Sequence, residues 1–316
     1  MNPLESMLTN VIIFVLLAIP GYLLVKTKIL KSKESAALSK LLTYVGMPFM
    51  ILLNTLNVEF TAEVTKSIIL IAVLGIVFIV ATFFVSAYLV IRGDEAKKQG
   101  MMRFCMVFAN SGFLGLPLAA AVFKDQPLVT IYLSILNIIT NVLMFTLGVY
   151  LISGDKEAIS LKKALLSPVL IAFVVGIVLN LTKVAVKVPD ILTYSRYFNN
   201  IVPPISMTIL GVKMADVNMT ALFKKWQTYF VSAMKLVVFP AVGLAILFAL
   251  RTFMNMSDEM ILGFFIAFAT PTAGLASTFS DQYDGDTENA VAFTLGTTLL
   301  SVATIPTVYW LLTMIL

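Results

Sequence analysis

Long apolar runs separated by short polar turns occupy almost the whole chain. Ten stretches, 7–25, 37–56, 67–91, 102–123, 127–152, 162–182, 197–215, 226–250, 258–279 and 289–314, lie near the roughly 20 mostly apolar residues that a helix needs to cross a hydrocarbon core. The pattern predicts an all-α polytopic membrane protein of ten transmembrane helices, with no room for another domain. The seventh stretch has the shortest apolar core and is interrupted by Pro203 and Pro204. Met1 to Glu5 hold no Lys or Arg ahead of the first run, which reads as a retained helix and not as a cleaved signal.

The polar and helix-breaking positions within these runs repeat at an offset of about 160 residues. Met47-Pro48 in the second helix falls opposite Pro203-Pro204 in the seventh, and the break around Asn110 in the fourth falls opposite the break around Pro271 in the ninth. Ser134, Asn137 and Asn141 in the fifth helix fall opposite Thr294, Thr297 and Ser301 in the tenth. Five helices per repeat is an odd number, so the second repeat must enter the membrane in the opposite sense. The expectation is two inverted five-helix repeats, 1–152 and 162–316, joined by a linker over 153–161.

Both breaks carry chemistry. The fourth helix contains Asn110, Ser111, Gly112, Gly115 and Pro117, and the ninth contains Thr270, Pro271, Thr272 and Gly274. Unwound backbone at that depth is tolerated only beside protein or a water-filled cavity, and each break exposes a half-helix N-terminus suited to an anion. The competing reading is a kink filled by neighbouring hydroxyls, but two breaks at matched positions argue for a site. Thr130, Ser134, Asn137 and Asn141 follow helical spacing and share one face, as do Thr294, Thr297 or Thr298, Ser301 and Thr304. Asparagines in mid-span need partners, so these faces should turn inward. The substrate-binding candidates are therefore Asn110, Ser111, Gly112, Gly115, Pro117, Asn137, Asn141, Thr270, Pro271, Thr272, Gly274, Thr297 and Ser301. Met47, Pro48, Pro203 and Pro204 are candidates for a facing wall.

Composition narrows the chemistry. With 59% hydrophobic residues, 12% charged and a mean hydropathy of +0.98, a soluble globular fold is ruled out. The 316 residues include no histidine and one cysteine, Cys105, which removes His-dependent triads, His or multi-Cys metal sites and disulfide frameworks. No enzyme activity, metal or cofactor is expected, and the formal charge of +5 sits in short loops where it sets membrane orientation and not nucleic-acid binding. With the N-terminus outside, fifteen Lys and Arg residues fall on the cytoplasmic side, Lys213 among them, and six, including Lys124, Lys187 and Arg196, fall outside. Both termini should be extracytoplasmic in an inner (plasma) membrane. Lys235 alone lies well inside a span; it would either attract an anion, pair with an acid of the 281–288 loop, or snorkel to the headgroups. The four acids of 281–288 read as a solvated turn capping the tenth helix.

Asn110-Ser111-Gly112-Phe113-Leu114-Gly115-Leu116-Pro117, Pro271-Thr272-Ala273-Gly274 and Gly296-Thr297-Thr298-Leu299-Leu300-Ser301 with Pro306 resemble the auxin efflux carrier family, the bacterial permeases related to the plant PIN-type carriers. The similarity runs through the whole chain, without the long mid-chain cytoplasmic loop of many plant members. The resemblance implies a fold shared in outline with bile-acid/sodium symporters and sodium/proton antiporters. Helices one, two, six and seven would form a scaffold, and helices three to five and eight to ten a transport domain in which helices four and nine cross at their prolines, Pro117 and Pro271. It also implies a small organic anion, such as an auxin-like acid, malate or malonate, moved by elevator-type alternating access between the two domains. The expected partners are that anion and membrane lipid, with a second copy of the chain as a candidate and no nucleic acid. A sodium-coupled symporter is the alternative within the class, with coupling to sodium or protons left open; a receptor that does not transport is the alternative outside it.

Overall fold

The computed structural model describes residues 3–90, 95–123, 125–159, 162, 166, 168–183, 188, 190–215 and 224–316. Arg92, Lys124, Lys163 and Lys187, four of the basic residues that orient the chain, lie outside the described residues, as do the last two positions of the 153–161 linker. Among the described residues there is no named strand. The helices are α1 (Pro3–Leu16), α2 (Ile19–Lys26), α3 (Ser32–Leu56), α4 (Ala62–Leu89), α5 (Ala96–Val107), α6 (Ser111–Val122), α7 (Pro127–Ser153), α8 (Pro168–Leu181), α9 (Asp190–Asn200), α10 (Val202–Ala215), α11 (Trp226–Met254), α12 (Asp258–Ala269), α13 (Ala276–Gln282) and α14 (Thr287–Thr313).

Six described stretches are long and apolar enough to cross a membrane: Met7–Lys26, made of most of α1 with α2, and α3, α4, α7, α11 and α14. The other expected spans take shorter forms, each for a local reason. The fourth and ninth are divided into α5/α6 and α12/α13 by extended segments at Phe108–Asn110 and Thr270–Ala273. The seventh, expected over 197–215, starts at Val202 instead, because its leading residues belong to a separate amphipathic helix, α9, that ends one residue earlier. Proline also loosens the long helices. Pro48 and Pro240 cannot donate to the carbonyl four residues back, and a turn of π-helix precedes each, at Leu42–Gly46 and Met234–Val238.

The outer and inner surfaces are inverted relative to a soluble protein. Ile69, Val73, Val77 and Phe84 on α4, and Val174 and Val178 on α8, are exposed, whereas Ser86, Ser134, Asn137, Thr272, Thr297 and Ser301 are buried. An apolar girdle around a hydroxyl- and amide-lined interior is what lipid solvation selects. Most of these hydroxyls donate to their own helix, as Thr140 does to the Leu136 carbonyl at 2.7 Å, so they satisfy themselves without a partner helix. Polar ties between helices are fewer. Asn180 at the end of α8 donates to the Thr55 and Val58 carbonyls at 2.9 and 2.8 Å, capping the end of α3. Arg103 of α5 donates to the Phe83 carbonyl and lies over the Phe83 ring of α4.

Two helix pairs approach closely at glycine, the first of them backbone to backbone. Where α2 packs on α10, a Cβ on Gly21 would lie 2.0 Å from the Thr208 carbonyl oxygen, and one on Gly211 would lie 1.8 Å from that of Ala18. Where α8 packs on α3, a Cβ on Gly176 would lie 2.9 Å from Thr55 Cβ. Gly21 and Gly211 thus form a small-residue contact that lets two membrane helices approach closely. Gly211→Ala should force the pair apart and cost about 1–3 kcal/mol of stability, read as a lowered thermal unfolding midpoint in detergent. Gly115→Ala, whose Cβ would meet neighbours at an ordinary 3.4 Å, should leave that midpoint nearly unchanged. Equal behaviour of the two variants would refute the close-contact account.

Candidate functional site

The site begins with backbone. Pro271 removes one amide hydrogen and pushes Thr270 out of helical geometry, to φ −69° and ψ 153°. On the other chain segment Phe108 is extended at φ −93° and ψ 124°, and Asn110 leads into α6. The two segments cross and pair as a short antiparallel bridge between Ala109 and Thr272. The Asn110 amide donates to the Pro271 carbonyl at 2.7 Å, and the Ala273 amide donates to the Phe108 carbonyl at 3.0 Å. Thr272 finishes the joint: its hydroxyl donates to the Cys105 carbonyl at 2.8 Å and its amide donates to the Thr297 hydroxyl at 3.1 Å. All of these groups are buried or nearly so, and each unwound amide or carbonyl named here has found a partner.

The crossing lies at Ala109 and not at Pro117, which is buried midway along α6. Pro117 acts at a distance. It leaves the Phe113 carbonyl without an intrahelical amide, and the Ser206 hydroxyl of α10 donates to that carbonyl at 3.0 Å. A turn of π-helix at Ser111–Gly115 accompanies the rearrangement.

Two lobes of a cleft flank the crossing and share a wall of Asn110, Phe113, Gly274 and Leu275. The first encloses about 460 Å³, counting its open mouth, and the second about 610 Å³. In the first lobe the Asn137 carbonyl oxygen Oδ1 accepts from the Ser111 hydroxyl at 3.0 Å and from Asn141 Nδ2 at 3.2 Å. Those two bonds fix the amide orientation and leave Asn137 Nδ2 a buried donor with no partner among the described residues. Gly112 packs closely here: a Cβ would lie 2.9 Å from Met47 Cε and 3.0 Å from Asn137 Oδ1, so a larger residue would displace the methionine tip and press on the Asn137 amide. The first turn of α6 brings its unpaired amide hydrogens to the same lobe through Gly112 and Phe113.

The second lobe is more apolar, with Leu42, Met207, Leu210 and Leu295, and holds one charge. Lys213, in the last turn of α10, donates from Nζ to the Gly274 carbonyl at 3.1 Å and to the Ser277 hydroxyl at 3.0 Å. Among the described residues no Asp or Glu lines either lobe. Thr294, 8% exposed, lines the second lobe with a hydroxyl that has no partner among the described residues.

Of the residues singled out by sequence, Asn110, Gly112, Asn137, Asn141, Gly274 and Met47 line the cleft, and Ser111 supports it through Asn137. Thr270, Pro271, Thr272 and Thr297 build the crossing itself and do not face the cleft. Gly115 and Pro117 are buried behind it, and Ser301 lines a separate apolar crevice against α1. Pro48, Pro203 and Pro204 lie outside both lobes; Ser206 and Met207, just beyond the prolines of α10, take that wall. Lys235 is 2% exposed inside a π turn of α11 and lines neither lobe. The acids of 281–288 are engaged elsewhere, Asp281 by Thr287, Asp284 by Lys97, Asp286 by Asn289 and Glu288 by Lys225. Sequence reasoning missed Thr43, Lys213, Ser277 and the apolar side chains of the second lobe, while Asn110, Gly274, Thr294 and Thr298 of that lobe are among the residues it singles out. The one available signal was Lys213 itself, a lysine two residues inside the end of an apolar stretch.

A family model described as membrane transport protein matches residues 6–309. The chain is also similar, at 26% identity over 314 residues covering 97% of each sequence, to an uncharacterized transporter of Methanothermobacter thermautotrophicus.

The crossing yields a direct test. Thr297→Val removes the acceptor for the buried Thr272 amide, and an unsatisfied buried donor costs about 1–3 kcal/mol. The variant should unfold at lower temperature in detergent, whereas Thr307→Val, whose exposed hydroxyl donates only to the Ala303 carbonyl of its own helix, should not.

Proposed function

The chain belongs to the membrane transport protein family, the auxin efflux carrier-like group whose motifs it carries, and from that premise we propose that it moves small organic anions by alternating access. It is a multi-pass membrane protein and a transporter rather than an enzyme. The observation that carries the reading is the buried crossing of two broken helices beside a cleft in which Asn137 Nδ2 waits without a partner. A carboxylate is acceptor-only, matches a cleft lined by donors and one ammonium, and meets no acidic side chain there.

In this reading ten membrane spans form two inverted repeats. Support comes from contacts that recur at an offset of about 160 residues: Ser111 to Asn137 in the first half and Thr272 to Thr297 in the second. The pairing of α2 with α10 and of α8 with α3 has the same symmetry. These four helices, with α1 and α9, would be the scaffold, and α4–α7 with α11–α14 the moving domain. The cleft is lined from the first half of α3 and from Ser206 to Lys213 of α10; with both termini extracytoplasmic in the plasma membrane it would open toward the cytoplasm, and this reading takes the conformation as inward-open. Substrate binding drives the change only through different contacts in the two states, and a cleft shared between scaffold and moving helices supplies them.

Flux of radiolabelled malate, malonate and indole-3-acetate into proteoliposomes tests the reading, with and without sodium and pH gradients. Saturable flux is expected for at least one of them. Asn110→Ala and Asn141→Ala should each lower its apparent affinity about tenfold, the loss of one hydrogen bond to a charged group. Stimulation by sodium would identify the symporter alternative, and ligand-induced thermal stabilisation without flux would identify a receptor.

A further inference from the structure

We propose that Lys213 is the residue that reads the charge of the substrate, and that the substrate's carboxylate takes over the ammonium now held by the Gly274 carbonyl and the Ser277 hydroxyl. The inference rests on the organic-anion reading of the cleft and adds to it a named recognition residue and a latch between two elements.

Four observations point there. First, the ammonium does not extend past the end of its own helix, although α10 ends only two residues later and offers that route. It reaches across the cleft instead, 3.1 Å from a carbonyl and 3.0 Å from a hydroxyl on the segment that follows the second break. Second, both partners are neutral. An ammonium has three donors and a full charge, and here two dipoles hold it directly while the carboxylate that acts on it, Asp281, makes no hydrogen bond to it. Asp281, four residues beyond Ser277, is exposed and accepts from the Thr287 hydroxyl at 2.7 Å. Third, the Thr294 hydroxyl, more than nine-tenths buried, lines the same lobe without a partner, so the lobe holds a second donor aimed at nothing in the described chain. Fourth, Asn110 and Gly274 belong to both lobes, so a guest bound at the crossing lies between the free Asn137 amide on one side and Lys213 on the other.

The geometry gives the ammonium two alternative partners. Without substrate, Lys213 ties α10 to the unwound backbone at Gly274 and so restrains the crossing relative to α10. A carboxylate in the shared part of the cleft offers a charged acceptor in place of a neutral one, and a charge-assisted bond is about twice as strong as a neutral one. The ammonium then transfers, the Gly274 carbonyl is released, and the tie runs through the substrate. This is the differential contact that a change of state requires.

The test compares indole-3-acetate with its uncharged amide, indole-3-acetamide, by binding to the purified full chain in detergent. Wild-type protein should prefer the acid at least tenfold. Lys213→Gln keeps a donor and loses the charge, and should abolish the preference by weakening acid binding while amide binding stays within twofold. Lys213→Arg should retain it. Ser277→Asp offers an independent check that leaves the lysine in place: a fixed carboxylate beside the ammonium should weaken acid binding about tenfold and spare the amide. An undiminished acid preference in Lys213→Gln, or in Ser277→Asp should the first variant not fold, overturns the assignment of Lys213 while leaving the carrier reading intact. Wild-type protein that binds neither compound, nor malate or malonate, overturns both.

Discussion

A membrane interior offers no water to an unpaired amide or carbonyl, and the architecture turns on how this chain meets that constraint where its helices are broken. Proline at 271 and the glycine-rich run after Asn110 make continuous helix unfavourable at two points. Neither break could sit in lipid alone. Brought together, each supplies what the other lacks: the Asn110 amide answers the Pro271 carbonyl, and the Ala273 amide answers the Phe108 carbonyl. Two strained segments become one small antiparallel bridge, and the remaining Thr272 amide is covered by Thr297 from the next helix.

That mutual satisfaction leaves little slack. A bridge of this kind holds α5, α6, α12 and α13 in one relation, and the aromatic packing of Phe104 on Phe108 and Phe279 extends the hold on one side. Because the backbone at the crossing is satisfied internally, the side chains next to it are free for other work. Asn110 points its amide at the shared wall of the cleft, and Asn137, oriented by Ser111 and Asn141, keeps one donor in reserve. The same logic applies one turn further along α6. The carbonyl released by Pro117 is not wasted on water but tied to Ser206 of α10, which fixes where that helix meets the crossing.

The two breaks and the polar stripe of α7 were legible because each is a departure from a uniform apolar run. A glycine, proline or asparagine in mid-span stands out. What could not be read is which side of a broken segment faces the cleft. Thr270, Thr272 and Thr297 have the composition of site residues, yet their hydroxyls and amides are used to close the crossing. Pro117 looked like the crossing point because it matches Pro271 in kind, but the bridge formed where both chains are extended, at Ala109. The start of the seventh span misled for a related reason: Tyr197 to Asn200 continue an amphipathic helix, and only Pro203 and Pro204, at home in a helix's first turn, mark the new start.

The two intramembrane lysines show the limit most clearly. By position alone Lys235 is deep in a span and Lys213 is near an end, so depth favours Lys235 as the residue that meets an anion. Depth along a helix is not exposure to a cavity. Lys235 points into packing behind the crossing, with 2% of its surface open, whereas Lys213 opens into the lobe that Asn110 and Gly274 also line. An ammonium must meet its ligand through an open path, and a charge that is already enclosed by protein gains nothing from a mobile guest. The useful cation in such a fold is therefore the one at the margin of a span, open to the cleft and close enough to the crossing to feel what binds there.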